Sequence, residues 1–136
     1  AKFKLVFGPN LGLISDVGAS WFVPNLIGRA RANGMGLLGD DVNAQQAKDW
    51  GLIWDCVPDD ELVSKSIEIA ERLANGPIKG LKALVKAHDN ALSSSLSDQL
   101  DYEKEVQRGR MDSQDFKEGV SAFVGKRKPN FRDLDQ

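Results

Sequence analysis

The sequence has few of the residues that form disulfides or bind metals. Cys56 is its only cysteine and His88 its only histidine in 136 residues. A lone cysteine cannot form a disulfide within the chain, which suits a reducing compartment. Without a cluster of cysteine, histidine and acidic residues at ligand spacing, a metal site is disfavoured. We therefore expect no metal, a buried and inert Cys56 in its apolar surroundings, and a His88 that is packed or lies at an interface.

Long apolar runs and a large charge of one sign are also missing. No apolar stretch approaches the roughly 20 residues of a membrane-spanning helix. No basic segment followed by an apolar one resembles a secretory signal. The formal net charge is only −2, which gives no electrostatic reason to expect nucleic-acid binding. These absences favour a soluble, cytoplasmic protein whose partners include neither membranes nor nucleic acids.

Strand signals are scarce as well. Residues 2–7 alternate between polar and apolar side chains, as a half-buried strand does. One other strand is predicted, over residues 52–57. Two short strands far apart in the sequence do not form a stable sheet alone. Either they pair with strands outside this chain or the domain is essentially helical, and we interpret the chain as part of a larger fold.

Most of the remaining sequence predicts helices. In the first half, helices are expected over residues 19–27, 29–38 and 44–50. The last of these has Asn43 as its N-cap and Gly51 as its natural end. Pro24 should lie in the first turn of its helix or mark a break, because proline cannot donate a backbone hydrogen bond. The glycine-rich residues 8–12 are expected to form a turn.

The second half predicts one helix after another. Asp59 or Asp60 is expected to cap a long helix that has an apolar stripe at helical spacing. A break then precedes a helix that starts at Ile78, and a polar helix follows from near Leu96. Ser113 is expected to cap a last helix, which a basic tail follows.

The stretch that points most directly to chemistry surrounds Asp16. This acid stands in a tight turn between Gly12 and Gly18, with apolar residues on both sides. Such a carboxylate would lose hydration and hold a proton more tightly, as a general base working near neutral pH must. Alternatively, Asp16 would cap the helix that starts near Ala19 by accepting backbone N–H groups. The pattern alone leaves both roles open and favours capping.

Other charged and aromatic residues are assigned structural roles. The acids of residues 115–120 are expected on a solvated helix face. The basic residues 126–128 could meet phosphates as flexible cations, but a solvated tail is the favoured interpretation. The glycines of residues 34–39 do not follow a strand and therefore make no phosphate-binding loop. The tryptophans are spaced like core residues and receive no chemical role: Trp21, Trp50 and Trp54.

Beyond these patterns, the chain resembles the second half of the crotonase (enoyl-CoA hydratase/isomerase) family over nearly its whole length. The motifs that carry the resemblance occur in the family's order, and together they are specific although each alone is weak. They are Gly12-Leu13-Ile14-Ser15-Asp16, Leu26-Ile27-Gly28-Arg29-Ala30, Asn43-Ala44-Gln45-Gln46-Ala47, Trp50-Gly51-Leu52-Ile53, Glu118-Gly119-Val120-Ser121-Ala122-Phe123 and Lys126-Arg127.

The resemblance implies a fold and an assembly. The fold would be the α/β crotonase-like ββα spiral, of which this chain is the mostly helical C-terminal part with about two short strands. Residues 1–58 would form the end of the spiral core and carry the catalytic turn. Residues 59–136 would form a C-terminal helical oligomerisation region. Because the family forms trimers or pairs of trimers, a homo-oligomer (trimer or hexamer) is expected.

The resemblance also implies an activity. Within the family, the chain is most similar to isomerases of phenylacetate degradation, which rearrange a ring epoxide on phenylacetyl-CoA. Several isomerases of the family carry an aspartate at the position of Asp16 as the proton-shuttling base, which turns the balance toward catalysis. Hydratases instead use two glutamates, one of which would fall near Phe7, where this sequence has no acid. Ser15 and Asn25 replace a commoner proline and arginine, so the acyl group stays open.

An acyl-CoA is the substrate that the resemblance implies, with coenzyme A as part of the substrate and no separate cofactor. Phe123 and Lys126 match positions that reach toward the CoA of the same or a neighbouring subunit. The backbone donors of the oxyanion hole, and much of the CoA pocket, would come from the other half of the fold.

Two alternatives to the isomerase stay open. The first is an enoyl-CoA hydratase, which would release a water adduct as its product. The second is a non-catalytic helical assembly fragment that docks on a partner and completes its fold. That module would account for the orphan strands and helices equally well.

Overall fold

The computed structural model describes residues 1–134, apart from the side chain of Asp133. It divides the chain into two compact units, Ala1–Asp60 and the residues from Glu61 onward. The sequence predicts a division between residues 58 and 59, and the roles it assigns to the two regions stay predictions. Among the described residues, no helix combines the length and the apolar character needed to cross a membrane.

The first unit is built from short helices and a small antiparallel sheet. In chain order its elements are β1 Lys2–Phe3, α1 Phe7–Leu11, α2 Ala19–Ile27, α3 Arg29–Leu38, β2 Val42–Asn43 and α4 Ala44–Trp50. In the sheet, Lys2 lies opposite Asn43 and Phe3 lies opposite Val42. Lys2 Nζ also donates to the Asp41 carboxylate at 3.0 Å, which lowers the pKa of Asp41 and ties β1 to the loop before β2.

The core of the first unit is small. Its buried residues come from α2, α3, β2 and α4: Val23, Ile27, Met35, Val42 and Ala47. Ala47 is fully buried, so its small side chain lets α4 close directly against the rest of the core. Many large apolar residues of the unit stay exposed: Leu11, Leu13, Ile14, Val17, Trp21, Phe22, Leu26, Leu37, Leu38 and Trp54. The unit therefore covers only part of its apolar surface.

The first strand is shorter than predicted. β1 ends at Phe3, and α1 occupies most of the stretch that was expected to form a turn over residues 8–12. Gly8 explains the difference, since a Cβ there would lie 2.8 Å from the Gly36 carbonyl oxygen. Without a side chain at this position, α1 packs its backbone directly on α3. This tertiary contact outweighs the local turn signals of residues 8–12.

The predicted strand over residues 52–57 is wrong. The segment forms a turn after α4, in which the N–H groups of Leu52 and Ile53 both donate to the Ala47 carbonyl, at 2.9 and 3.3 Å. These donors complete the end of the helix and cannot also serve a sheet. The strand that pairs with β1 is instead Val42–Asn43.

The helix predictions for the first unit are confirmed. α2, α3 and α4 have the predicted bounds, and the Asn43 side chain caps α4 by accepting from the Gln46 N–H at 2.9 Å. Gly51 ends α4 in the left-handed conformation, with φ 81°. Pro24, however, neither lies in the first turn of α2 nor breaks it. Because Pro24 has no N–H, the carbonyl of Ser20, one turn earlier, loses its helical hydrogen bond. Ser20 is exposed, so water can satisfy this carbonyl and the helix continues.

Several residues expected in the core are more exposed than predicted. Cys56 is half-buried, and its thiol donates to Gln45 Oε1 at 3.5 Å. Trp21 and Trp54 are exposed, because the elements that carry them lie at the edge of a core too small to cover them. His88 is exposed as well, so the prediction that it packs within this chain is wrong. The alternative, that it lies at an interface, stays a prediction.

The second unit consists of longer helices. They are α5 Leu62–Ala74, α6 Ile78–Ala91, α7 Leu96–Met111 and α8 Gln114–Val124, followed by a 3-10 turn at Arg132–Leu134. The predicted cap at Ser113 is confirmed, since its Oγ accepts from the Phe116 N–H at 3.2 Å. Among the described residues of this unit, Ala122 alone is buried. Its apolar helix faces therefore remain largely uncovered within the chain.

The predicted capping of α5 by Asp59 or Asp60 is wrong. The helix begins after Glu61, whose side chain makes no capping hydrogen bond. Glu61 has φ −93° and ψ −12°, in the right-handed helical region. A capping side chain normally needs an extended backbone at this position. The turn that precedes α5 thus removes the geometry that a capping aspartate requires.

Removing the Asn43 cap should destabilise the protein. Asn43→Ala leaves the Gln46 N–H without its acceptor, and the expected loss is about 1 kcal/mol in the free energy of unfolding. Asn43→Asp keeps an acceptor at the same place and should lose much less. Urea unfolding of the full-length gene product measures both variants. An equal loss in both would contradict the capping role.

Candidate functional site

Asp16 lies in a tight turn between α1 and α2. The Ala19 N–H donates to its carbonyl oxygen at 2.9 Å. The next two residues, Val17 and Gly18, have positive φ angles of 51° and 81°. This conformation is rare for a β-branched residue such as Val17 and costs on the order of 1–3 kcal/mol, so the surrounding structure must enforce it. At Gly18 a Cβ would lie 2.9 Å from Phe22 Cε2, which leaves little room for a side chain.

The side chain of Asp16 is exposed, and within the described part of the chain it has no hydrogen-bond or ion-pair partner. The N-cap of α2 is Gly18, and no side chain caps the helix. The predicted capping role is therefore wrong. Asp16 stabilises the turn with its backbone carbonyl, and its carboxylate remains available.

The loss of hydration expected at Asp16 is not present in this chain. The adjacent residues Leu13, Ile14 and Val17, here called the apolar rim, are 59%, 83% and 95% exposed. Apolar side chains that are themselves in water cannot keep water from a neighbouring carboxylate. A cover from outside the chain, or a bound apolar group, would be needed to remove that water.

In the second unit, Glu118 and Arg127 form a two-pronged ion pair. Arg127 donates to the two carboxylate oxygens at 2.6 and 2.8 Å, and the Asn130 N–H adds a third hydrogen bond at 2.7 Å. The hydrogen bonds from Arg127 and then Asn130 favour the charged carboxylate and lower the pKa of Glu118 to about 2. Because the Glu118 side chain is only 16% exposed, the predicted solvated role is wrong for it. Arg127 is exposed, as expected of a solvated tail residue, but its guanidinium is paired with Glu118.

Phe123 and Lys126 lie at the end of α8, next to this pair. Phe123 is 85% exposed. Lys126 is exposed and has a positive φ of 49°. Within the described part of the chain, neither Lys126 nor Lys128 has an ion-pair partner for its ammonium group. An aromatic ring and an unpaired cation are thus both accessible at one helix end.

The helices α6, α7 and α8 border an open groove of about 850 Å³. Its lining is mostly apolar, as in Ala83, Leu84, Ala87, Val106, Val120 and Phe123. Arg110 and Asp115 form an ion pair in its wall, where both side chains are largely buried. Asp115 is therefore paired and not solvated as predicted. A groove of this kind suits an apolar surface that packs against it.

The patterns in the sequence do not reveal these two ion pairs. The partners are nine residues apart in Glu118–Arg127 and five apart in Arg110–Asp115. Neither spacing matches the three or four residues that bring side chains together on one helix. The only available signal, for Glu118–Arg127 alone, is an acid on a helix followed by basic residues beyond its end. Among the described residues, no group of histidine, cysteine and acidic side chains could hold a metal ion.

The Glu118–Arg127 pair should stabilise the folded protein in a pH-dependent way. The pKa of Glu118, about 2 in the folded protein, lies below the ordinary value of 4.5. The pair therefore stabilises the fold fully above pH 4.5, and this stabilisation is lost as the pH falls toward 2. Glu118→Gln should therefore unfold at a lower temperature than the wild type at neutral pH. The difference should shrink as the pH falls through this window.

Glu105→Gln is the matched control for this experiment. Glu105 and Arg108 form a pair at 3.5 Å, with both side chains 70% exposed, so its removal should change little at any pH. Thermal unfolding of the full-length gene product, followed by circular dichroism, measures all three proteins. A pH-independent loss in Glu118→Gln would contradict the assigned role of the carboxylate.

The sequence matches the Enoyl-CoA hydratase/isomerase family over residues 1–134. It is 44% identical over 131 residues to the 1,2-epoxyphenylacetyl-CoA isomerase of Escherichia coli (strain K12), covering 96% of this chain and 50% of that protein. It is 40% identical over 131 residues to the protein named probable enoyl-CoA hydratase from Rhodobacter capsulatus, covering 96% and 51%. The sequence relatives thus include both an isomerase and a hydratase.

The fold agrees with the sequence comparison. The crystal structure of enoyl-CoA hydratase from Bacillus anthracis matches with a TM-score of 0.88 at 34% identity, covering 97% of this chain and 51% of that one. The chain therefore spans about half the length of the relatives it matches. Its helices and two-stranded sheet form part of the crotonase fold, which confirms the expected fold class. The chain belongs to the enoyl-CoA hydratase/isomerase (crotonase) family.

Proposed function

We propose that this chain carries the general base of an acyl-CoA isomerase and that Asp16 is this base. The observation that supports the assignment most is an unpartnered carboxylate next to the left-handed Val17, in a turn flanked by apolar side chains. Strained backbone at non-glycine residues clusters at functional sites, where the structure must maintain it. The order of the family motifs supports placing the chain in the second half of the complete enzyme.

The proposed reaction is a proton transfer through an enolate. The thioester acidifies the neighbouring C–H group, and Asp16 takes this proton while the electron pair moves onto the carbonyl oxygen. Backbone donors from the other half of the fold would stabilise the enolate, at roughly 3–4 kcal/mol per donor. Asp16, now neutral, returns the proton to another position or assists ring opening. The base is regenerated, and the net change is an isomerisation.

The proposed substrates are ring-derived acyl-CoA thioesters, such as an epoxyphenylacetyl thioester, or unsaturated acyl-CoA. The similarity to the Escherichia coli isomerase supports the ring-derived group. The apolar rim supports either kind, because its exposed side chains can pack against a ring or an alkene. Such packing would displace water from Asp16 and make its carboxylate a stronger base in the complex.

Phe123 and Lys126 are proposed to contact the CoA part of the substrate. An exposed ring can stack on a base, and an unpaired ammonium can meet a phosphate. Coenzyme A enters as part of the substrate, and no further cofactor is proposed. We place the complete enzyme in the cytoplasm.

We also propose that the complete enzyme is a trimer or a hexamer. The groove between α6, α7 and α8 and the exposed apolar face of α8 support this, since such surfaces are normally covered in an assembly.

Enoyl-CoA hydratase is the second candidate, favoured by the similarity to the Rhodobacter capsulatus protein. The chain offers no acid near Phe7, where a second catalytic carboxylate of a hydratase would fall. Adding water to a double bond calls for one group that activates the water and one that protonates carbon. Product analysis discriminates the two reactions, because a hydratase releases a hydroxyacyl-CoA and an isomerase does not.

Asp16→Asn should abolish proton transfer. In the full-length gene product, deuterium exchange from D₂O into phenylacetyl-CoA and a 3-enoyl-CoA should fall by about 10²–10⁴-fold, the contribution of a positioned general base. The substitution keeps the size of the side chain and its exposed position, so thermal stability should not change. Mass spectrometry of the recovered thioester measures the exchange.

Asp59→Asn is the matched control, since Asp59 is an exposed acid in another turn. It should exchange at the wild-type rate. Undiminished exchange in Asp16→Asn would overturn the assignment and move the search for the base to the other half of the fold. A wild-type protein without any exchange or turnover would favour the non-catalytic assembly module.

A further inference from the structure

The end of α8 is a Schellman motif with a lysine at an unusual position. The Arg127 N–H donates to the Ala122 carbonyl at 3.0 Å, and the Lys126 N–H donates to the Phe123 carbonyl at 3.2 Å. These two hydrogen bonds define the motif, whose left-handed residue is usually glycine. Here that residue is Lys126, with φ 49°.

A lysine in this conformation is strained, because its Cβ crowds the backbone where glycine has only hydrogen. The chain does have a glycine one position earlier, but Gly125 adopts an ordinary φ of −77°. The motif therefore places its left-handed residue on Lys126 although a glycine is adjacent. Strain of this kind persists only where neighbouring contacts enforce it, and it often accompanies function.

The residue that follows Lys126 supplies those contacts. Arg127 donates to both carboxylate oxygens of Glu118, at 2.6 and 2.8 Å, and to Ser121 Oγ at 3.3 Å. Glu118 in turn accepts from the Asn130 N–H at 2.7 Å. We call this arrangement the Glu118–Arg127 clamp. The clamp fixes Arg127, which follows Lys126, to Glu118 and Ser121 of α8. The residues before Lys126 belong to the same helix, so the backbone is held on both sides of the lysine.

The clamp also determines which positive charges remain available. Residues 126–128 are all basic, but Arg127 is committed to Glu118. Within the described part of the chain, the ammonium of Lys126 has no ion-pair partner. The backbone N–H of Lys126 donates to the carbonyl of Phe123, whose ring is exposed at the same helix end. An accessible cation and an accessible aromatic ring at one helix end suit a ligand that carries both phosphate and a base.

We propose that the Glu118–Arg127 clamp is a positioning device, which holds Lys126 in its left-handed conformation so that its ammonium meets a phosphate of coenzyme A. This rests on the proposed function, because it takes Lys126 to contact the CoA part of the substrate. Glu118 and Arg127 act through Lys126 and are positioning residues. Their loss should affect binding of the nucleotide end of the substrate and leave the chemistry at the acyl end intact.

The test compares two substrates of the full-length gene product: a 3-enoyl-CoA, and the N-acetylcysteamine thioester of the same acyl group, which carries no phosphate. Glu118→Gln should raise KM for the CoA substrate by about tenfold and change kcat by less than about twofold. Its kcat/KM for the short thioester should stay at the wild-type value. Glu105→Gln, at an exposed and separate ion pair, should leave both substrates unaffected.

Lys126→Gly distinguishes positioning from a merely structural role. It should raise KM for the CoA substrate as much as Glu118→Gln does, while unfolding at the same or a higher temperature because the strain is relieved. Combining it with Glu118→Gln should raise KM no further, since the clamp acts through the lysine that is already absent. A purely structural pair would instead reduce the turnover of both substrates, the short thioester included.

Arg127→Lys is a second variant that breaks the clamp, for use if Glu118→Gln does not fold. A lysine preserves the charge but cannot make the two-pronged contact, so KM for the CoA substrate should again rise. An unchanged KM in the clamp variants, with a raised KM in Lys126→Gly, would overturn the positioning role and keep the CoA contact. No effect of Lys126→Gly would overturn both. Neither result would bear on Asp16, whose exchange experiment stands separately.

Discussion

The position of Asp16 depends on the close packing of α1 against α3. At Gly8 the two helices approach so closely that a Cβ would lie 2.8 Å from the Gly36 carbonyl oxygen. This contact accompanies a helix where the sequence predicts a turn, and the chain must then turn again before α2 begins. Asp16 stands in that second turn, next to the left-handed Val17. The placement proposed for catalysis therefore follows from backbone packing and owes nothing to interactions of the carboxylate itself.

Polar groups of this chain are paired, whereas much of its apolar surface remains uncovered. Among the described residues, no buried polar side-chain atom lacks a hydrogen-bond partner, and Glu118 and Asp115 are paired inside the second unit. The apolar rim and the groove between α6, α7 and α8 remain open. Polar groups need partners at fixed distances, which nearby residues can supply, whereas apolar surface needs area. A chain that spans half of its relatives has its hydrogen bonds in place but lacks the area to cover its apolar surface.

Local signals predicted the helices well and the strands poorly. Asn43 and Gly51 mark the two ends of α4 because capping depends on the backbone of only a few neighbouring residues. The apolar run at residues 52–57 looked like a strand, but its N–H groups serve the end of α4. An apolar or alternating pattern indicates which faces of a segment are buried. It cannot show whether a partner strand lies beside the segment to pair with its backbone. The true partner of β1, Val42–Asn43, is too short to leave a pattern.

The sequence by itself determined the family, the order of the helices and the identity of Asp16 as the residue to examine, because motif order and capping residues are written along the chain. Only the tertiary structure decided that Asp16 caps no helix and that Glu118 and Arg127 form a clamp around the left-handed Lys126. These properties depend on which groups the folded chain brings together across a turn or a helix end. A spacing of nine residues between an acid and a base does not predict an ion pair, because the two side chains meet only where the backbone turns back between them.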